Sequence, residues 1–538
     1  MHRCLLIAEI FSSIVSFSES SYSKTDLYNL ALTCKAFSEI ALDELWSDVD
    51  DFMALVYLLP AELWHGTNSD ASECCMTRET VPSDWTRFLV HARRVKALTY
   101  QTLWEYRIKA IKPPWNTEVF KSNTVLQHLH QQCPLPNLLP RLRALIWRIV
   151  DTEILPLFIC PSLQSLSFGS TVHRPATLEV MEASAHLLTS LDLQDYDPDM
   201  HDVSPELVNR ACTLIKRMER LRSFQTTFAI RSDAMAHLAR LPKLGQLVVL
   251  LAGDHTDHTA INLPSRPLFP SLSSLVVRSS NFMPFTSFLS AISSKSLGTM
   301  RWVTDNGNPD GLLKVSDVLS KHPSLGALRS LAIRMHGDFG VDAPATLEAF
   351  RPLLKLKNLT HLEMSIPSLY VTNEDLKEIA SNLPNLFLLK LGEGSDFPPR
   401  VTLSGLAALF HHCKLQFLDI TVDATEALPA EEFHVPSNYP DHAWTNSDRL
   451  QFLNLFNSPI SPSKVEDIAL FLNEFFPNLV ALGAWNDALT DVYADPREEE
   501  PSSRDLWEQA AAKYAELRAL FKHRYADDDG TGWHGFNQ

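Results

Sequence analysis

Pro384-Asn385-Leu386-Phe387-Leu388-Leu389-Lys390-Leu391 carries the pattern Leu-x-x-Leu-x-Leu, introduced by a proline and a small polar residue. In an extended strand the second and third leucines point to one face and the x residues to the other. One strand cannot cover such an apolar face, so a neighbouring unit or the unit's own helix must cover it. The stretch therefore predicts a strand that belongs to a stack of similar strands.

The same pattern recurs along most of the chain, for example at residues 161–168 and 477–482. The first position of each copy that aligns is occupied by Val95, Leu142, Leu163, Leu188, Leu221, Leu244, Leu272, Leu297, Leu328, Leu359, Leu386, Leu415, Leu450 and Leu479. Most successive members lie 21 to 35 residues apart. That spacing is typical of leucine-rich repeats, in which each unit has room for a strand and a helix.

Helical segments fall between these strands, as at residues 373–380 and 465–472. The alternation predicts the fold class α/β, as an irregular leucine-rich-repeat solenoid with parallel strands inside and helices outside. A doubly wound α/β domain is the alternative for any alternating pattern. It would show fewer strands and no recurring Pro-x-Leu entry, so the solenoid is favoured.

The first 46 residues follow a different pattern, that of three short amphipathic helices. Apolar residues at helical spacing, such as Ile10 and Ile14, predict a first helix from about Ala8 to Phe17. A polar run separates it from a second helix that begins near Thr25, and a third follows. Three helices of this size bury too little apolar surface to be stable alone, which favours a partner.

These helices resemble an F-box, a module that docks a protein onto a ubiquitin ligase. The family usually has a proline immediately before the first glutamate, where this chain has Ala8. The resemblance implies that one set of apolar residues faces the Skp-type adaptor, which links F-box proteins to a cullin: Leu5, Leu6, Ile7, Ile10, Phe11, Ile14, Leu27 and Leu30. The open alternative is a small helical cap on a larger domain.

The chain divides into four segments by pattern. They are an F-box-like helical domain (1–60), a linker or loop (61–84), the solenoid (85–490), and a C-terminal capping helix with a flexible acidic tail (491–538). This order resembles that of fungal F-box and leucine-rich-repeat proteins. The resemblance implies a substrate-recognition subunit of an SCF-type E3 ubiquitin ligase.

Composition narrows the compartment and the partners. The 538 residues are 45% hydrophobic, enough for a sizeable core, and the formal net charge of −17 argues against non-specific nucleic-acid binding. The longest apolar run, residues 247–252, is far too short to span a membrane. Eight cysteines without a C-x-x-C pair suit a reducing compartment. We expect a cytoplasmic or nuclear protein that binds neither nucleic acid nor membrane.

The x positions of the strands predict where a substrate would bind, on the concave face of a horseshoe. Arg278, Arg301 and Arg334 come from three consecutive predicted strands that lie roughly 5 Å apart. Arginine forks suit carboxylate or phosphate. We therefore expect these residues to bind an acidic or phosphorylated segment of a protein substrate, with a solvated surface as the alternative.

Several clusters resemble reactive sites without their full pattern. Residues 254–258 collect Asp and His in a loop but lack metal-ligand spacing, and residues 306–311 mimic a calcium loop with an amide as first ligand. Residues 411–413 fall at the end of a repeat helix, where capping and packing are expected. No phosphate-binding, dinucleotide-binding or nucleophile-elbow motif is present. The sequence thus predicts a protein that is not an enzyme and uses no metal or cofactor.

Two hypotheses from different classes remain. In the first, the chain is a ligase receptor whose helices bind the adaptor and whose repeats bind a substrate. In the second, it is a leucine-rich-repeat scaffold or regulator, for example of a GTPase, whose N-terminal helices are only a cap. An exposed apolar surface on the first two helices favours the receptor, and a surface packed wholly on the repeats favours the scaffold.

Overall fold

The computed structural model describes sixteen stretches of the chain. They are residues 8–17, 24–50, 52–66, 74–76, 78–100, 131–132, 137–148, 155–169, 175–194, 204–251, 268–336, 344–367, 369–392, 398–425, 449–483 and 503–528. The chain forms two compact units, Met1–Val249 and Leu250–Gln538. Within the described stretches, each unit alternates parallel strands with helices.

The first unit begins with helices and continues as a parallel sheet. Its described helices are α1 (Ala8–Phe17), α2 (Lys24–Thr33), α3 (Lys35–Leu45), α4 (Met53–Val56), α5 (Thr86–Ala92), α6 (Pro175–Ser184), α7 (Pro205–Ile215) and α8 (Ser232–Arg240). Its described strands are β1 (Asp48–Val49), β2 (Trp64–Gly66), β3 (Cys74–Met76), β4 (Ala97–Tyr100), β5 (Ala144–Trp147), β6 (Ser165–Phe168), β7 (Ser190–Leu193), β8 (Ser223–Ala229) and β9 (Gln246–Leu251), the last reaching the unit boundary. All but β2 and β3 lie side by side in chain order.

The second unit repeats the strand-helix alternation. Its described strands are β10 (Ser274–Ser279), β11 (Thr299–Thr304), β12 (Ser330–Met335), β13 (His361–Ser365), β14 (Leu388–Leu391), β15 (Phe417–Ile420), β16 (Phe452–Asn454) and β17 (Ala481–Gly483). Its described helices are α9 (Phe282–Ala291), α10 (Pro309–Ser320), α11 (Leu347–Phe350), α12 (Asn373–Asn382), α13 (Leu403–His412), α14 (Val465–Phe475) and α15 (Ser503–Asp528). These strands also pair in parallel and in chain order.

The burial pattern confirms the predicted solenoid. Every predicted first-position residue is fully or almost fully buried except Leu479, which is half-buried in the last described repeat. Along β15, Leu418 and Ile420 are buried while Phe417 and Asp419 are half-exposed, and strands β8 to β11 alternate in the same way. Helices such as α12 bury their own apolar residues in the same core. We call the face opposite the buried leucines the open face.

Two features of the first unit differ from the predicted boundaries. Strand β1 lies inside residues 1–60, yet it pairs in parallel with β4, since Asp48 and Val49 align with Ala97 and Leu98. Residues 61–84, predicted to be a linker, contain the antiparallel pair β2 and β3. Two-residue and three-residue strands are too short to leave a recognisable alternation in the sequence, which is why the pattern missed them.

Within the described part of the chain, no helix combines the length and the apolar character needed to cross a bilayer.

Candidate functional site

The three N-terminal helices form a small core of their own. The rings of Phe11 in α1 and Phe37 in α3 stack with 4.1 Å between centroids and 17° between planes. Val15 and Leu27 are buried in the same cluster, and Leu30 packs against it. The core therefore fixes the relative positions of α1, α2 and α3 while using only part of their apolar side chains.

Four large apolar residues of α1 and α2 lie outside this core and are exposed. Ile10 and Ile14, one turn apart on α1, are each 41% exposed, and Tyr28 and Leu32, one turn apart on α2, are 54% and 67% exposed. Large apolar side chains in such pairs are typical of a surface that a partner covers. We call these four residues the apolar helix surface.

The structure corrects part of the predicted adaptor-binding set. Ile10 and Ile14 are exposed as an adaptor contact requires, whereas Phe11 and Leu27 are buried in the helices' own core and cannot face a partner. Leu30 is half-buried, and residues 5–7 (Leu5, Leu6 and Ile7) lie outside the described residues. Tyr28 and Leu32 were missed, although their spacing of four residues in a helix was a visible signal.

One arginine ties the helices to the start of the repeats. Arg94, just after α5, donates hydrogen bonds to the Glu39 main-chain carbonyl at 3.1 Å and to the carboxylates of Glu39 and Asp43. Its side chain is only 11% exposed, whereas both acidic side chains are largely exposed. Nearby, the rings of Trp46 and His91 lie 4.6 Å apart. The burial of His91 lowers the pKa of its imidazole, and the charges of Arg94 and Arg87 lower it further.

On the open face of the second unit, the x positions form a continuous row. The residues that align from β10 to β17 are Val276, Arg301, Ala332, Glu363, Lys390, Asp419, Asn454 and Gly483. This is the order that the repeat alignment predicted for the concave face. A second row, two residues further along each strand, aligns Arg278, Val303, Arg334 and Ser365.

The three predicted substrate-binding arginines therefore share one face, and we call them the arginine cluster. Arg334 Nη2 donates to Glu363 Oε1 at 3.0 Å, and Arg301 Nη2 lies 3.7 Å from Glu363 Oε2. Arg301 and Arg334 remain about half-exposed, and Arg278 is exposed. The exposed guanidinium groups of Arg278 and Arg301 can donate hydrogen bonds to an anion. The sequence analysis did not predict that Glu363 pairs with two of these arginines.

Beside this row runs a series of rings that the sequence prediction missed. His361, Phe387, Phe417 and Phe452 are in contact one after the other, with centroid distances of 5.6, 5.4 and 4.7 Å. The first three side chains are half-buried and Phe452 is exposed. We call these four residues the aromatic strip. Each ring occupies one of the two x positions between the first and second leucine of its repeat. The repeat pattern does not specify the residue type at these positions.

On the open face of the first unit, several polar side chains form hydrogen bonds mainly with one another. Arg148 donates to Ser167 Oγ at 3.0 Å and lies 3.6 Å from Asp192 Oδ2, while Ser167 Oγ donates to Asp192 at 2.7 Å. Gln194 donates its side-chain N–H to Gln225 Oε1 at 3.1 Å. These polar groups mainly engage one another, so they offer less to a ligand than the arginine cluster does.

The clusters that resembled reactive sites have structural surroundings where they are described. Asn308 Oδ1 accepts a hydrogen bond from Gly311 N at 2.7 Å and thereby caps α10. Cys413 ends α13, is buried against the Ala380 and Leu383 carbonyls, and its thiol pKa is raised to about 12 by burial. Residues 254–258 lie outside the described part of the chain.

No protein-family model matches the chain, and no curated protein matches it. Chains of solved structures do match. One is a chain from the crystal structure of the Rad7 and Elc1 complex in yeast, at 16% sequence identity and a TM-score of 0.37, over 74% of this chain and 90% of that one. At that TM-score the likeness says nothing about which partners this chain binds.

Proposed function

We propose that this chain is the substrate-recognition subunit of an SCF-type E3 ubiquitin ligase. The N-terminal helices bind a Skp-type adaptor and through it a cullin, and the repeats bind a protein substrate. The observation that supports this assignment is the apolar helix surface, because four large apolar side chains on α1 and α2 stay exposed although the three helices have a core. A cap that only closed the solenoid would bury these residues against the repeats.

In this role the chain makes and breaks no covalent bond. Holding the adaptor and the substrate on one polypeptide raises the effective concentration of substrate lysines near the ligase. The chain therefore needs no catalytic group, metal or cofactor of its own. We place it in the cytosol or nucleus, where the ubiquitin ligase partners would be met.

The arginine cluster is the proposed contact for an acidic or phosphorylated segment of the substrate. Arg278, Arg301 and Arg334 project from adjacent strands of one face, so a single anionic group can meet more than one fork. Charge-assisted bonds of this kind are shorter and stronger than neutral ones. The exposed guanidinium groups of Arg278 and Arg301 are within reach of a ligand.

The test is whether a purified Skp-type adaptor co-purifies with the full chain. The variant carries Ile10→Asp and Ile14→Asp together. Both residues are already exposed, so the free chain tolerates the charges, whereas an apolar interface does not. The matched control is Leu470→Asp, since Leu470 is 52% exposed on α14 of the second unit.

We expect the wild type and the Leu470→Asp control to retain the adaptor and the double variant to lose it. Failure of the folded wild type to bind any Skp-type adaptor would remove the ubiquitin assignment. Equal binding by wild type and double variant would place the adaptor contact elsewhere and contradict the role given to the apolar helix surface.

A further inference from the structure

We propose that the aromatic strip and the arginine cluster form one composite binding surface for an extended segment of the substrate. The segment carries an acidic or phosphorylated residue and, about six to eight residues away, a large apolar side chain. This inference rests on the proposed function, because it specifies the substrate that the receptor recognises. It adds the apolar half of the site and the spacing between the two halves.

The strip lies on the same face as the cluster. In β15, Phe417 and Asp419 lie on the open face, and Leu418 between them is buried on the other face. The parallel register aligns Phe417 with Phe452 on the next strand. The same register aligns Arg301 with Glu363 across β12. Both halves therefore belong to one open face of one unit, with the cluster on β10 to β12 and the strip from β13 to β16.

The strip has the character of an apolar contact rather than of a core. Its rings bury area against one another, yet Phe452 remains 37% exposed and the other three are half-buried. Rigid aromatic side chains lose little conformational entropy when a partner covers them, which makes them frequent anchors in interfaces. The neighbouring cluster supplies the charge complementarity that selects an acidic segment.

The spacing follows from the sheet. Neighbouring strands lie roughly 4.8 Å apart, and residues of one strand lie roughly 3.3 Å apart. Phe417 is three strands from Arg334 and four residues nearer the strand start, and Phe452 is five strands from Arg301 and two residues nearer the strand start. The separations are then roughly 20 Å and roughly 25 Å, so the two anchors of an extended segment should stand about six to eight residues apart.

A peptide fits this surface better than a single-stranded nucleic acid. The planes of Phe417 and Phe452 differ by only 1° with 4.7 Å between centroids, so each ring already has one face turned to the other. Stacking of successive bases needs ring faces, whereas an apolar side chain of a peptide can pack against ring edges as well as faces. The formal net charge of −17 also opposes a polyanion.

The experiment measures binding of the full chain to fluorescent synthetic peptides by anisotropy. Each peptide has one phosphoserine in a Gly-Ser background and one phenylalanine placed one to ten residues away, on either side, and one peptide has no phenylalanine. We expect the tightest binding at separations of about six to eight residues. The peptide without phenylalanine should bind about tenfold more weakly, the loss expected for one well-packed aromatic anchor.

Three variants test what the aromatic strip and the arginine cluster each contribute to peptide binding. Phe452→Ser removes the most exposed ring. Phe417→Leu keeps an apolar side chain and serves in case the serine variant folds poorly. Both variants should abolish the spacing preference but not the need for phosphate. Arg301→Ala should weaken binding of every phosphopeptide. Leu470→Ser and Lys377→Ala, exposed changes on α14 and α12, serve as controls and should bind as the wild type does.

Binding that ignores the position of phenylalanine overturns the proposal, as does binding to none of the peptides. Displacement of the best peptide by single-stranded oligothymidylate would assign the surface to nucleic acid and overturn it too. Adaptor co-purification tests the role of the N-terminal helices independently of the peptide titrations. A chain that binds the adaptor but no peptide loses this inference and the role given to the arginine cluster, while the adaptor role stands. A chain that shows the spacing preference without adaptor binding loses only the ligase assignment.

Discussion

Glu363 and Arg334 form an ion pair across neighbouring strands, with 3.0 Å between Oε1 and Nη2, and the same carboxylate reaches Arg301 at 3.7 Å. Glu363 thus competes with an incoming anion for two of the three clustered arginines. We expect Glu363→Gln to tighten binding of a phosphoserine peptide about twofold to fivefold, since a pair of half-exposed ion pairs is worth up to about 1 kcal/mol. Anisotropy titration measures this, with Glu374→Gln on α12 as the control. Weaker binding by the variant would instead show that Glu363 holds the forks in place.

The stacked pair of Phe11 and Phe37 should hold the three-helix segment together. Phe11→Ala removes a buried ring and should cost about 3 kcal/mol locally, because so small a core cannot refill the cavity. Amide hydrogen exchange should show faster exchange in residues 24–45 and little change in the second unit. Ile14→Ala is the control, since Ile14 is exposed and its loss should change stability by less than about 0.5 kcal/mol. Unchanged exchange in the Phe11 variant would contradict this account of the core.

Arg94 should fix α3 against the start of the repeats. Arg94→Ala leaves Glu39 and Asp43 hydrated, because both are largely exposed, so the loss should be about 1 kcal/mol rather than that of an unpaired buried charge. Exchange of the α3 amides should accelerate while those of α1 stay protected by Phe11. Arg217→Ala, which breaks an exposed pair with Glu182, is the control and should change nothing measurable. Equal protection of α3 in both variants would refute the role of Arg94.

His322 should make the second unit less stable in mild acid. The imidazole is buried, its Nδ1 accepts a hydrogen bond from Ser324 N at 3.2 Å, and burial lowers its pKa. The folded state therefore binds this proton less readily than the unfolded state, so the contribution is present above the unperturbed value of about 6.5 and is lost as the pH falls below it. Urea titrations at pH 7.5 and 5.5 measure the loss.

The same urea titrations are made on two variants, His322→Gln and His186→Gln. The His322 variant should lose less stability on acidification than the wild type, because it has no imidazole to protonate at that site. His186 is exposed and its replacement should leave the pH dependence as it is. A wild-type pH dependence in the His322 variant would assign the acid sensitivity to another group.

The repeat architecture was predictable because its signal is repeated. A leucine such as Leu386 or Leu415 recurs at the entry of each unit, and its burial follows from stacking that every unit shares. The first helix was predicted from Ala8 to Phe17 and has those bounds in the structure. Leu479 departs from the pattern because β17 is the last described strand of its unit and its neighbours give it less cover.

The candidate sites were less predictable because they depend on single side chains. Periodicity placed Phe11 on the apolar side of α1 but could not tell whether that side faces Phe37 or a partner. The repeat pattern brought the arginine cluster to one face, yet it could not reveal that Glu363 binds two of its members. The aromatic strip was invisible for the same reason, since x positions carry no periodic signal.

Strand β1 gives the N-terminal segment a further consequence. Because Asp48 and Val49 pair with β4, the segment covers the hydrogen-bonding edge of that strand. A bare parallel edge is a template for strands of other molecules and promotes aggregation. Cleavage between the helices and the repeats would therefore release a solenoid with an uncovered edge, prone to self-association.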